Sequence, residues 1–186
     1  MANFKEAMDI LNKAEYSNAP HKCLHANKNE IGLTYMGIYQ RWHPSWVGWR
    51  EVIETLKACD DNLECASKEL YKSEKLTKAV YEFYKEEFWD KARLDEISSQ
   101  IIANEIFIFM VCAGKQAAIE YAQIVVRVKD DGVVGSKTLD ALNKYDEEIF
   151  SLAYDVYEKK HFEDIASRDA TKLWALKGWI NRAYLV

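Results

Sequence analysis

Both prolines of the chain, Pro20 and Pro44, fall inside one stretch, residues 16–45. Proline has no amide proton to give a helix and fixes its own φ. That stretch also holds Gly32, Gly37 and many Asn and His residues, and hydrophobic periodicity lapses across it. Elsewhere breakers are rare: the whole chain of 186 residues has only 7 glycines. Abundant Leu, Ala, Glu and Lys favour helices. The pattern predicts a mainly α protein with one long irregular region near its N-terminus. Loops of that length are uncommon in compact domains and often carry function.

Periodicity sets the remaining elements. Phe4, Met8 and Leu11 predict a first helix over 3–13. Helical pattern returns weakly over 46–57 and 61–72. It is strong over 74–90, where Leu76, Val80, Phe83, Tyr84 and Phe88 form one stripe and Glu82, Lys85, Glu86 and Glu87 cover the other side. A further helix opens near Leu94 with acidic residues in its first turn and ends at Gly114, expected in the left-handed conformation. Residues 101–111 are apolar nearly all round, which predicts a buried central helix. Helices are expected over 115–127, 137–144 with Ser136 as N-cap, 146–161 and 168–182. The sequence shows no clear strand, repeat, low-complexity segment or linker.

The net charge of −5 gives no phosphate-binding face, so nucleic acid is not an expected partner. The N-terminus lacks the apolar core of a secretory signal, which predicts synthesis as a cytoplasmic chain. The longest apolar run, 106–113, is far short of a membrane span, and no stable membrane insertion is expected. The four cysteines, at 23, 59, 65 and 112, form no CxxC pair and read as reduced thiols, with Cys112 in the core. His21, Cys23 and His25 would need further ligands to hold zinc, so a polar loop is the plainer reading and no metal is assigned.

Three segments carry a resemblance. The first pairs Ala14-Glu15-Tyr16-Ser17-Asn18 with 30–38, which contains Glu30, Gly32, Thr34, Tyr35 and Gly37. The second is Asn104-Glu105-Ile106-Phe107 through Ala118, followed by Asp131-Gly132-Val133-Val134-Gly135. The third is Lys177-Gly178-Trp179 through Arg182. In this order the chain resembles glycoside hydrolase family 108 lysozymes, whose opening Glu-Gly-Gly-Tyr-x-Asn is followed by Gly-Gly-x-Thr-x-x-Gly-Ile. Here the two glycines after the glutamate are absent, and matching Glu to Glu takes a two-residue shift. The resemblance implies a lysozyme-like helical fold, with a catalytic part over 1–95 and a helical peptidoglycan-binding part over 96–186, either separable or integral to one compact domain.

It also implies a muramidase hydrolysing the β-1,4 bond between N-acetylmuramic acid and N-acetylglucosamine, with Glu15 as general acid. The physical case agrees, since glycoside hydrolysis needs a carboxylic acid kept protonated by an apolar setting, and a second carboxylate. Glu30 is the candidate for the second and Glu51 a weaker one. Tyr16, Thr34, Tyr35, Gly37 and Trp42 are the candidate substrate-binding residues, because glycine admits close backbone approach and Thr and Tyr hydroxyls can bond sugars. Trp49 reads as core and Gly178 as a site of close helix packing. No cofactor is implied. Peptidoglycan glycan strands are the expected partner and the chain is expected to be a monomer, acting on the wall or periplasm after release, as in host lysis. Rival readings are a lytic transglycosylase on the same bond and a non-catalytic peptidoglycan-binding or secretion-accessory protein.

Overall fold

The computed structural model describes residues 1–27, 31–184 and 186. Its fold is mainly α and lysozyme-like. The chain divides into two compact units, residues 11–85 and residues 1–10 with 86–186. Helix α1 spans Phe4–Tyr16.

In the unit of residues 11–85, three two-residue strands follow the end of α1: β1 (Leu24–His25), β2 (Thr34–Tyr35) and β3 (Ile38–Tyr39). They make an antiparallel sheet in the order β1-β2-β3, pairing Leu24 with Tyr35 and Tyr35 with Ile38. The sequence predicted no strand here, because two residues are too few to show a period-two pattern. What forms the β2–β3 hairpin is its turn. Met36 (φ 44) and Gly37 (φ 84) both take positive φ, as a two-residue hairpin turn of matching twist requires.

Helices α2 (Trp49–Ala58), α3 (Leu63–Leu70) and α4 (Glu74–Tyr84) complete this unit. Asn62 and Ser73 cap α3 and α4 through their side chains. Cys59 and Cys65 are joined by a disulfide, which corrects the reading of four reduced thiols. Asp60 and Asp61 take left-handed backbone between α2 and α3, and the turn brings the two cysteine Cα atoms to 5.9 Å, within bridging range. Helix α2 begins at Trp49 rather than 46, and Trp46 and Trp49 are both buried. Their rings meet edge-on at 5.3 Å, and Trp46 stacks on Tyr35 at 6.1 Å.

The other unit is helical. After a π-helical turn at Lys85–Trp89 come α5 (Gln100–Ala113), α6 (Lys115–Val125), α7 (Ser136–Leu142), α8 (Glu147–Arg168) and α9 (Leu173–Ala183). Helix α5 is the predicted central helix, buried without a break from Ile102 to Met110. Each large apolar side chain removed from water there is worth about 1.5–3 kcal/mol. Gly114 separates α5 from α6 with φ 91 and ψ 157, an extended glycine conformation rather than the expected left-handed helical one. Gly135, not Ser136, is the N-cap of α7. In α8 the buried residues Phe150, Tyr154, Glu158, Phe162 and Ala166 recur every fourth position, and Trp179 of α9 stacks on Phe162 at 5.3 Å. Gly178 is exposed with nothing near the position of a Cβ, so it permits no close packing. Cys112 is only half-buried.

Candidate active site

The unit of residues 11–85 brings Glu15 and the hairpin tip together. Glu15 lies in the last turn of α1 and is half-buried. A Cβ placed on Gly37 would meet the Glu15 side chain at 3.0 Å, at both Cγ and Cδ, and the Tyr84 hydroxyl at 2.5 Å. Glycine is therefore needed at 37 twice over, for its φ and for the room it leaves. The Tyr84 hydroxyl donates to the Met36 carbonyl at 2.9 Å, so α4 clamps the hairpin tip from behind. Tyr84 is almost fully buried. A buried phenol needs a hydrogen-bond acceptor, and here the turn supplies it. Sequence reasoning had placed Tyr84 only in a core stripe. The signal it carried was being Tyr rather than Phe in that stripe.

Further bonds set the hairpin. The Tyr39 hydroxyl donates to the Ile31 carbonyl at 3.0 Å, and the Gln40 amide oxygen accepts from Leu33 N at 3.2 Å. Tyr39 and Gln40 carried no sequence motif. On the inner side, Tyr35 is completely buried and its hydroxyl donates to the Leu70 carbonyl at 3.3 Å. Burial pushes its phenol pKa upward. That places Tyr35 in the core under the hairpin, with no surface for a sugar. Cys23 is likewise buried, with Sγ 3.1 Å from the Ser67 hydroxyl; burial raises its thiol pKa.

The other predicted site residues divide. Thr34 is in β2 and nearly buried. Tyr16 is buried and meets Tyr71 edge-on at 6.3 Å. Trp42 is 74% exposed, an indole open to a ligand. Glu30 lies outside the described residues. Glu51, in the first turn of α2, accepts from the Ser73 hydroxyl at 2.5 Å and lies 3.7 Å from Lys75 Nζ. It lines a cavity of about 490 Å³ with Val47, Arg50, Glu54 and Leu76. Glu51 thus supports the cap of α4 from one wall of an open cavity.

In the helical unit, the buried Gln123 side chain holds the predicted Asp131–Gly135 turn. Its amide nitrogen donates to Asp131 at 3.1 Å and to the Val133 carbonyl at 3.0 Å, and its oxygen accepts from Gly132 N at 2.9 Å. Bonds from Gln123 and Val133 N hold the Asp131 carboxyl below its usual pKa. A cavity of about 370 Å³ opens beside this turn, between Val128 and Thr138.

Residues 22–114 match the family described as Glycosyl hydrolase 108, and residues 116–184 match one described as Predicted Peptidoglycan domain. The first match begins beyond Glu15 and includes the hairpin that Glu15 packs against. The solved structure of Brucella abortus SagA has a similar fold, with a TM-score of 0.59 and 22% identity, covering 97% of this chain and 92% of that one. No curated protein sequence matches the chain.

Proposed function

Since the chain belongs to glycosyl hydrolase family 108 and carries a peptidoglycan domain, we propose that this peptidoglycan-degrading glycosidase is a muramidase with Glu15 as its general acid. The bond cleaved is the β-1,4 linkage between N-acetylmuramic acid and N-acetylglucosamine. The observation that carries this reading is the seating of the Glu15 side chain against the backbone of Gly37. A rigid hairpin tip, pinned by Tyr84, fixes a half-buried carboxyl group at one place in the unit. Fixed placement of the proton donor at the leaving oxygen is what glycoside hydrolysis demands. Glu30 remains the proposed second carboxylate, because it precedes the Thr34 strand in sequence.

Of the proposed sugar contacts, Trp42 offers an exposed ring face, and Gly37 seats the Glu15 side chain at the hairpin tip. Tyr16, Thr34 and Tyr35 are buried in the same unit. The turn at 131–135 and its adjoining cavity are the proposed second contact with the wall. Among the described residues no helix is long and apolar enough to cross a membrane. A disulfide between Cys59 and Cys65 suits work in an oxidising compartment such as the wall or periplasm. Lysis of a host cell by a monomeric enzyme is the setting we propose.

The test is turbidity loss of purified peptidoglycan with the wild type and with Glu15→Gln, both verified as folded by circular dichroism. Clearing by the wild type alone, with reducing muramic acid ends in the products by mass spectrometry, is the expected result. Equal clearing by both would remove Glu15 from the mechanism, and anhydro ends would make the enzyme a transglycosylase.

A further inference from the structure

The helical unit holds three carboxylates where an apolar core would be expected. Glu105 on α5 and Glu158 on α8 retain only 2% and 3% of their surface, and Asp155 on α8 is half-buried. One oxygen from each lies within 4.8 Å of the others. Ser151, Asp155 and Glu158 share one face of α8 at spacings of four and three residues. The Ser151 hydroxyl donates to Glu105 at 2.6 Å. That one bond does not satisfy the cluster. Asp155 Oδ1 is buried with no hydrogen-bond partner. Among the described residues, no hydrogen bond reaches the Glu158 carboxylate, and no lysine, arginine or histidine forms an ion pair with any of the three.

We infer that Glu105, Asp155 and Glu158 form a binding site for one divalent cation of the oxygen-preferring class, Mn²⁺, Mg²⁺ or Ca²⁺. Such ions hold oxygens at roughly 2.0–2.6 Å, so the ligands of one ion lie within about 5 Å of one another, as these do. The donor set is carboxylate only, which selects hard cations over zinc or copper. A buried carboxylate that is neither paired nor hydrogen-bonded is costly. An ion between α5 and α8 removes that cost for Asp155 and Glu158 and adds a second partner to Glu105 beside the Ser151 hydroxyl. Without one, burial and mutual repulsion push the carboxyl pKa values up, to about 8 for Glu105 and about 10 for Glu158. Burial alone raises Asp155 to about 6. The partial exposure of Asp155 gives an ion its way in. The ion would pin α8 onto the central helix α5. This inference stands apart from the assignment of Glu15.

The experiment is titration of the full chain, stripped with chelator, with Mn²⁺, followed by calorimetry and electron paramagnetic resonance, with thermal unfolding in Mn²⁺, Mg²⁺ and Ca²⁺. One Mn²⁺ per chain and a raised unfolding temperature are expected. Glu158→Gln and Asp155→Asn should each weaken Mn²⁺ binding by about tenfold or more. Glu87→Gln, at a surface carboxylate paired with Lys91, should leave it unchanged. The variants are checked for fold by circular dichroism. No bound Mn²⁺ at millimolar concentration, or binding that survives both core variants, would overturn the site.

Discussion

Two carboxylates, Glu15 and Glu158, show how differently the two units of this chain place a charged group. Glu15 is half-buried at a helix end and is positioned by a turn, since its side chain meets the bare backbone of Gly37. Glu158 is buried in the middle of a long helix and is positioned by periodicity, since it occupies the central place in a stripe of Phe150, Tyr154, Phe162 and Ala166. A turn can hold an acid beside open space where a substrate enters. A helix stripe can only hold it in a core, where it needs a proton or a cation as companion. The first arrangement suits chemistry and the second suits a structural ion.

The sharpest way to break that comparison is at the acid itself. Glu15→Gln keeps size and removes the proton, and wall cleavage is expected to fall by about 10³-fold, in the range general acids contribute. Dye release from labelled peptidoglycan measures it. The same change at Glu158 should leave cleavage by the folded enzyme within a small factor of wild type. If Glu158→Gln abolished cleavage while Glu15→Gln did not, the roles given to the two units would be reversed.

Next in size is Gly37→Ala. Its methyl group would meet the Tyr84 hydroxyl and the Glu15 side chain, at a φ of +84 that L side chains rarely adopt. A cost of about 3 kcal/mol is expected from strain and overpacking together. Chemical denaturation followed by tryptophan fluorescence would read it, and cleavage should fall with it because the acid loses its seat. Unchanged stability would mean that the hairpin tip is free to move away from α1 and does not fix Glu15.

What was legible in the sequence follows the same division. The helical unit announced itself through long periodic runs, and its central helix was read from the mostly apolar stretch at 101–111. Glu105 on α5 and Glu158 on α8 meet only in the folded unit, because they lie on different helices and no pattern along the sequence pairs them. In the irregular region Gly37 read as a place where a sugar could come close, whereas the groups that meet it in the fold are Glu15 and Tyr84. Tyr84 comes from a helix far along the chain, and its role depends on one hydroxyl reaching one carbonyl. Tyr35 read as a sugar contact because a hydroxyl on a loop looks available. Only the register of a two-residue strand, with Tyr35 opposite Leu24 and Ile38, turns it inward. The Cys59–Cys65 bridge depended on two aspartates adopting left-handed backbone, which no spacing rule anticipates.

The bridge itself gives the next prediction. Replacing Cys59 and Cys65 together by serine opens a short loop between α2 and α3, and loop-closure entropy puts the loss at about 2 kcal/mol. The effect should appear in the wild type as well when it is unfolded under reducing conditions, and it should be absent from the double variant. Equal stability in reducing and oxidising buffer would show that the bridge does not form in solution.

The smallest expected effect runs in the opposite direction and compares two glycines. Gly178 lies in α9, exposed, with no atom within 4 Å of the position a Cβ would take. It therefore has none of the crowding or backbone demand of Gly37. A helical glycine that could be alanine loses more backbone entropy on folding than alanine does. Gly178→Ala is expected to stabilise the chain by about 0.5–1 kcal/mol and to leave wall cleavage unchanged, measured by thermal unfolding and dye release on the same preparation. Destabilisation at 178 would mean that another surface packs close against the middle of α9, and the Lys177-Gly178-Trp179 motif would then mark a contact.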